Sequence, residues 1–278
     1  MIQYKKIALA ATFSPRFLPL LAEAQRLVQK LDCEFSLIHS GEENEESRGR
    51  FEAAFDELSI SPRPTIHWTH SDDPAGAILR TIHEQQIDLL IAGALENETP
   101  GRHYVGNVAR TLMRDAPCSL LLFTEPSIDP QPFRKIVTIT DFSALSTLCL
   151  EHTYFMASHN AGERIYLVRI FTIFAQVHAQ HKEFFVEKDA RQSLLEAEEQ
   201  HIEEFAAKVG PSPVELEAKC VEGTTGFAAS DYVQAVEADL LVIPSHPPGT
   251  PQLLPDGMDW VFNVIPSNLF IVRENAAR

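Results

Sequence analysis

The stretch that decides the fold runs from residue 87 to residue 123 and reads IDLLIAG (87–93), ALENETPGRHYVG (94–106), NVARTLMRDAPC (107–118) and SLLLF (119–123). The first and last segments are apolar runs of strand length, and the third carries apolar residues at helical spacing until Pro117 stops it. Strand, glycine-marked loop, helix and second strand form a βαβ unit, which predicts a parallel sheet. Ligands bind at the carboxyl ends of the strands in such sheets, so function is sought first after Gly93.

The same alternation of apolar runs and helical segments extends back to the start of the chain. Residues 6–12, 35–39 and 65–68 are predicted as strands, which gives the order βαβαβαβαβ up to residue 123. Ser14 before Pro15, and Asp73 before Pro74, are predicted as helix N-caps followed by a first-turn proline.

A second copy of this order follows a proline-rich connector at residues 125–132. Ile136 lies 129 positions after Ile7, whereas Asp239 lies 151 positions after Asp88, so the second copy carries an insertion. The insertion falls within residues 171–210, where glutamates alternate with apolar residues and predict a long amphipathic helix. We therefore predict an internal duplication, with domains at residues 1–125 and 133–278.

Composition excludes several classes of protein. A formal net charge of -16 without a basic patch argues against binding to nucleic acid or anionic lipid. No apolar run is long enough to cross a bilayer, and the first six residues are too polar for a signal peptide, so we expect a cytoplasmic protein. Four widely spaced cysteines lack metal-ligand or disulfide spacing and are predicted to be reduced core residues: Cys33, Cys118, Cys149 and Cys220.

Two five-stranded α/β halves, each with a loop after the fourth strand and a turn such as Ala116-Pro117-Cys118 before the fifth, resemble a tandem universal stress protein. The resemblance implies two Rossmann-like domains, each a parallel sheet ordered 3-2-1-4-5 and flanked by helices. It also implies that the last strands, residues 120–123 and 269–272, pair inside the chain as a pseudo-dimer. A homodimer of the whole chain is a further expectation.

The resemblance also implies an adenine nucleotide such as ATP, held by the motif G-x2-G-x9-G-(S/T) and by an Asp after the first strand. In the first half, Gly93 and Gly106 match the first and third glycines, but Glu96 replaces the second and Asn107 replaces the Ser or Thr. Thr12 stands at the position of the Asp. The first half therefore keeps only part of the phosphate-binding motif.

The second half keeps a different part. Asp141 retains the acidic position, whereas Pro244 and Pro247 replace the first two glycines. Proline supplies no N–H group, so this segment cannot cradle phosphates as glycine-rich loops do. Glu96 in the first half would repel a phosphate unless Mg²⁺ or Arg102 screens its charge. Triphosphate binding is disfavoured in both halves.

Each candidate has a second interpretation. Gly93, Gly106 and Asn107 hold a nucleotide, or else Gly93 simply ends a strand and Asn107 caps a helix. Asp141 either accepts a hydrogen bond from a ligand or caps the following helix, and Arg102 either meets an anionic ligand or is a solvated loop residue.

Other residue types carry weaker signals. His178 and His181 have a spacing seen in metal sites, but no third ligand is well placed, and no metal is predicted. Ser143 and the pair Ser245-His246 supply nucleophile and base types without a nucleophile elbow, so no catalytic residue is predicted.

The predicted function is that of a non-catalytic, stress-response binding or regulatory protein that holds an adenine nucleotide weakly. The alternative is an interaction protein that has lost nucleotide binding and docks a protein partner through the acidic helix. A nucleotide-using enzyme that depends on Asp141 is a third hypothesis.

Overall fold

The computed structural model describes residues 2–99, 102–171, 188–223, 226–255 and 257–274. Strands and helices alternate through both halves, as the repeated pattern predicts. The first half contains β1 (Lys6–Ala11), α1 (Phe17–Leu31), β2 (Glu34–Ser40), α2 (Glu45–Glu57), β3 (Thr65–Thr69), α3 (Pro74–Gln85), β4 (Leu89–Gly93), β5 (Leu95–Thr99), β6 (Arg102–Val105), α4 (Asn107–Asp115) and β7 (Ser119–Phe123).

The second half begins after the connector and repeats this order with two changes. Its elements are β8 (Lys135–Ile139), α5 (Ala144–His159), β9 (Arg164–Phe171), α6 (Lys188–Val209), β10 (Glu215–Glu222), α7 (Gly226–Ala235), β11 (Leu240–Ser245), a 3-10 turn (Asp259–Phe262), β12 (Val264–Ile265) and β13 (Asn268–Arg273). The helix after the second strand is longer than in the first half. In place of α4, the described residues between β11 and β13 contain only the 3-10 turn and the short β12.

Ten strands form one sheet in the order β10-β9-β8-β11-β13-β7-β4-β1-β2-β3. Each half is a parallel sheet in the order 3-2-1-4-5, which confirms the predicted fold. The halves join where β13 pairs antiparallel with β7, with Leu269 opposite Leu122 and Ile271 opposite Leu120. This is the predicted intramolecular pseudo-dimer, and it leaves neither last strand as an open edge.

The repeat extends to individual side chains. Asp88 precedes β4, and its Oδ2 accepts hydrogen bonds from the backbone N–H groups of Lys5 and Lys6 at 2.8 and 2.9 Å. Asp239 precedes β11, and its Oδ2 accepts hydrogen bonds from the N–H groups of Arg134 and Lys135, both at 2.8 Å. Equivalent carboxylates, one in each half, therefore link the start of the first strand to the start of the fourth.

The antiparallel joint places the carboxyl ends of the two half-sheets at opposite edges of the molecule. Because β12 precedes β13, it lies beside the segment that follows β4. Val264 pairs with Tyr104 of β6, and β6 pairs with β5. Residues 96–99 and Arg102, expected to lie in a loop, belong to the antiparallel strands β5 and β6, and the second half supplies a third strand for this pair.

The acidic insertion is part of the second core. Ile202 and Phe205 of α6 are buried against Leu150 of α5 and Leu167 of β9. The predicted amphipathic helix is confirmed over Lys188–Val209. Residues 172–187 lie outside the described residues. They include His178, His181 and Glu183, so the structure does not test a metal site at these side chains.

The two predicted N-caps differ in outcome. Asp73 caps α3, where its side chain accepts a hydrogen bond from the Gly76 N–H. Ser14 does not cap α1, because the N-cap is Arg16 and makes no side-chain capping bond. The Ser14 hydroxyl instead accepts a hydrogen bond from the Arg16 N–H within a turn that precedes the helix.

All four cysteines are free thiols, and Cys118 and Cys149 lie in the apolar core as expected. Burial raises the pKa of the Cys149 thiol to about 12, which keeps it protonated. In the parts of the chain that the structure covers, no helix is long and apolar enough to cross a membrane.

Candidate functional site

Each half has a point where the strand order reverses, between its first and fourth strands. These points lie between β1 and β4 in the first half, and between β8 and β11 in the second. Crevices at the carboxyl ends of the strands at such points are the usual ligand sites of open α/β sheets. The two crevices face opposite edges of the molecule, so they cannot form one composite site.

Four of the predicted site residues come together at the first-half crevice. Leu9 lies opposite Ile91 in the β1–β4 pair, which places Thr12 and Gly93 at neighbouring strand ends. Gly106 is buried and forms the N-cap of α4, and Asn107 is the exposed first residue of that helix. Arg102 begins β6, and its side chain is outside the described part of the structure.

The Gly106 amide is already engaged, because it donates to the Ala94 carbonyl at 2.9 Å. The second half also holds this segment in place. The Val105 N–H donates to the Asn263 carbonyl at 3.1 Å, and Arg110 Nε donates to the Phe262 carbonyl at 3.0 Å. Of the interpretations left open by the sequence, the strand end at Gly93 is confirmed, whereas helix capping by Asn107 is wrong because Gly106 is the N-cap.

Aromatic side chains fill the space next to the carboxyl end of β1. The Phe13 ring lies 4.6 Å from Phe51 and 4.7 Å from His39 between ring centroids, and the Arg50 guanidinium lies 4.0 Å above it. His39 Nδ1 donates to the Ala11 carbonyl at 2.9 Å. This packing lies directly after Thr12, which is itself exposed.

The second-half crevice is an open cleft of about 710 Å³. Its walls are the segments that follow β8 and β11, the end of β9 and the residue after β13. The charged and titratable side chains that line it are Asp141, Arg169, His246 and Glu274. The volume lies within the range of small-molecule sites.

Asp141 is held in a fixed geometry at the start of this cleft. Its Oδ1 accepts hydrogen bonds from the Ser143 N–H at 3.0 Å and from the Ser146 hydroxyl at 2.6 Å. Burial by itself raises the pKa of the Asp141 carboxyl, but these two hydrogen bonds outweigh it and the pKa lies below its ordinary value. Asp141 is thus a carboxylate at neutral pH, and it lines the cleft.

Ser143, rather than Asp141, is the N-cap of α5. Its hydroxyl accepts a hydrogen bond from the Ser146 N–H at 3.1 Å. The helix-capping interpretation of Asp141 is therefore wrong in its simple form. The carboxylate instead closes a turn just before the cap.

Phe142 follows Asp141 with a φ of 66°, a left-handed conformation that costs free energy in a bulky residue. The Arg169 guanidinium lies 4.9 Å above its ring, and Phe205 of α6 packs beside the ring at 5.7 Å between centroids. Arg169 Nε also pairs with the buried Glu198 of α6 at 3.1 Å. The acidic helix therefore contacts the cleft through both a ring and an ion pair.

The opposite wall of the cleft carries a second acid–base pair. His246 Nδ1 lies 3.3 Å from Glu274 Oε2, and each side chain is 43% exposed. The Ser245 hydroxyl is buried, donates to the Leu253 carbonyl and receives a hydrogen bond from Arg273. Because these contacts hold Ser245 in the structure, it is not placed to act as a nucleophile.

Comparison with known proteins identifies the family. The sequence pattern of the universal stress protein family matches residues 40–124 and again residues 132–256. The chain belongs to the universal stress protein family. The two matches fall on the two half-sheets, so this universal stress protein carries its family pattern in tandem.

Solved structures share this tandem architecture. A protein of unknown function from Pseudomonas aeruginosa PAO1 superimposes with a TM-score of 0.70 and 14% sequence identity, over 98% of this chain and 93% of that one. A universal stress protein from Archaeoglobus fulgidus DSM 4304 gives a TM-score of 0.61 at 14% identity, over 96% and 98% of the two chains. At such identity the likeness establishes the fold. No curated protein sequence gives a significant match to this universal stress protein.

Sequence reasoning missed Arg169 and Glu274 as cleft residues of this universal stress protein, and considered His246 only as a potential base. The repeat contained a signal for Arg169, which occupies the second-half position that corresponds to His39. Glu274 directly follows the last strand, and only the folded sheet shows that this end borders the crevice. In the described residues no group of three His, Cys, Asp or Glu side chains is placed to hold a metal ion.

Proposed function

We propose that this universal stress protein is a non-catalytic stress-response protein that binds an adenine nucleoside or nucleotide weakly in the cleft of its second half. The observation that carries the proposal is the geometry of Asp141. Its Oδ1 is fixed by two hydrogen bonds, and the residue lines a cleft at the reversal point of the sheet. A fixed carboxylate of this kind suits a ligand N–H or O–H donor.

The first half supports binding less well. Its glycine-marked segment is a hairpin fastened to the second half, and the Gly106 amide is engaged within the chain. The aromatic packing around Phe13 takes up the region next to Thr12. We infer one ligand per chain, held in the second half.

Calorimetric titration of the full chain with adenosine and with AMP tests this proposal. We expect a dissociation constant between about 10 μM and 1 mM, one site per chain, and a loss of about tenfold or more in Asp141→Asn. Asp72→Asn is a matched control, because Asp72 is an exposed acid of the first half. The proposal is contradicted if neither adenosine nor AMP binds, or if Asp141→Asn binds them as tightly as wild type.

The second candidate is an interaction protein that uses the outer face of α6. The observation in its favour is that the helix buries one face and leaves Glu196, Glu199 and Glu203 exposed. Deletion of the helix cannot test this, because Ile202 and Phe205 belong to the core. Substitution of the three glutamates by glutamine should keep the fold, because their side chains are exposed. If that variant no longer binds a basic protein that wild type binds, this candidate is supported.

A further inference from the structure

The cleft of the second half has an unusual chemical character for a phosphate-containing ligand. Pro244 lies near the end of β11, and Pro247 and Pro248 lie in the segment after it; none of the three has an N–H group to offer. The His246 N–H donates to the Leu253 carbonyl at 2.8 Å, and the Thr250 N–H donates to the Pro247 carbonyl at 3.4 Å. The three prolines therefore offer no amide to a phosphate, and the amides of His246 and Thr250 are turned toward the chain.

The helix that would face a phosphate is missing as well. In the first half, α4 follows the fourth strand and presents its N-terminus at the carboxyl edge of the sheet. In the second half, residues 257–267 contain a 3-10 turn of four residues and the two-residue β12. A single 3-10 turn supplies little of the dipole that stabilises anions at the start of an α-helix.

The charged side chains that line the cleft also disfavour a phosphate. Asp141 and Glu274 contribute two carboxylates. The positive charge of Arg169 is paired with Glu198, and His246 lies against Glu274. A polyphosphate in this cleft would meet carboxylates, and among the described lining residues there is no cation without a carboxylate partner.

We propose that this cleft selects an uncharged nucleoside over its 5′-polyphosphate, with Glu274 as the residue that rejects the phosphates. The inference rests on the proposed function and adds the class of ligand. Asp141 accepts a hydrogen bond from a base or ribose donor, while Glu274 repels negative charge at the other wall of the cleft. The cleft thus has a group that recognises a nucleoside, Asp141, but lacks the groups that hold phosphates.

Titration calorimetry of the full chain with adenosine and with ATP, with and without Mg²⁺, tests this inference. We expect adenosine to bind at least tenfold more tightly than ATP. We expect Glu274→Gln to reduce the ratio of the ATP and adenosine dissociation constants severalfold, because it removes one of the repelling charges. Glu237→Gln is the control and leaves the ratio unchanged, since Glu237 precedes β11 at the amino edge of the sheet.

The outcomes separate the two proposals. If ATP binds as tightly as adenosine, or if Glu274→Gln leaves the ratio unchanged, the selectivity is refuted while nucleotide binding stands. If neither ligand binds, the proposed function is wrong and the selectivity falls with it. Tight ATP binding in the wild type that Asp141→Asn abolishes would show that the cleft accepts the whole nucleotide.

Discussion

Leu121 of β7 lies directly opposite Phe270 of β13, and both side chains are fully buried. This antiparallel contact joins two parallel half-sheets into one sheet of ten strands. It also sets the direction of each half, so that the crevice beside Gly93 and the cleft beside Asp141 open at opposite edges. One pair of strands therefore determines both the stability of the joint and the separation of the two candidate sites.

Phe270→Ala should lower the free energy of unfolding by about 3–5 kcal/mol, because it leaves a cavity at the centre of this joint. Urea unfolding followed by circular dichroism measures the change. Phe227→Ala is the matched control, since that ring is 64% exposed and its loss should change stability by less than about 0.5 kcal/mol. A cost below about 1 kcal/mol for Phe270→Ala would mean that the halves are held together mainly by other contacts.

The sequence predicts the repeat because it depends on apolar runs of fixed spacing, whereas the strand order and the pairing of the last strands follow from the resemblance to the universal stress protein family. It does not predict the hairpin of β5 and β6, because the strand that completes it, Val264–Ile265, comes from the other half of the chain. Local patterns carry no information about such a partner. Glu96, judged from the motif alone, was expected to face a phosphate, whereas its backbone belongs to a strand.

The cleft shows the same division between local and distant information. Asp141 was identified because a resemblance specifies a position directly after the first strand. Arg169 and Glu274 line the same cleft, but they come from the ends of β9 and β13. These two side chains meet at the cleft because of the lateral order of the strands. A sequence motif does not specify how close two such charged side chains will lie.

His152 of α5 makes stability depend on pH. Its Nδ1 lies 2.7 Å from the Tyr4 hydroxyl in the core, and burial lowers the pKa of His152 to about 4. An unfolded histidine has a pKa near 6.5, so between pH 6.5 and about 4 the unfolded chain binds more protons than the folded one. The free energy of unfolding should fall by about 1.4 kcal/mol for each pH unit lost in that window.

Urea unfolding of wild type and His152→Asn at several pH values between 7.5 and 4.5 checks this contribution. The variant should lose stability less steeply than wild type as the pH falls, because asparagine does not titrate. His159→Asn alters an exposed histidine of the same helix and should retain the wild-type slope. Parallel slopes for wild type and His152→Asn would show that another group causes the acid sensitivity.

Substitution by alanine should change the free energy of unfolding much less at Gly93 than at Gly162. A Cβ at Gly93 would meet Leu20 at 3.8 Å, an ordinary contact, whereas a Cβ at Gly162 would lie 2.9 Å from the Ala157 backbone. Gly93→Ala should keep the stability within about 1 kcal/mol, and Gly162→Ala should cost about 1–3 kcal/mol through overpacking. Chemical denaturation of the two variants measures both values, and a large cost at Gly93 would reveal a structural need for that glycine.

Glu198→Gln should increase the affinity of the second-half cleft for AMP. Glu198 is buried on α6 and neutralises Arg169, which lines the cleft. Glutamine keeps the shape and a hydrogen-bond acceptor for Arg169 but removes the negative charge, so the guanidinium becomes available to a monophosphate. We expect about tenfold tighter AMP binding in calorimetric titration, which corresponds to about 1.4 kcal/mol.

The same substitution separates an electrostatic role of the acidic helix from a purely structural one. Glu203→Gln changes an exposed glutamate on the same helix and should leave AMP binding as in wild type. Adenosine carries no phosphate, so its affinity should respond to Glu198→Gln less than that of AMP. If AMP and adenosine change equally, Glu198 acts by positioning Phe142 and Arg169, and the charge of α6 does not control which ligands the cleft accepts.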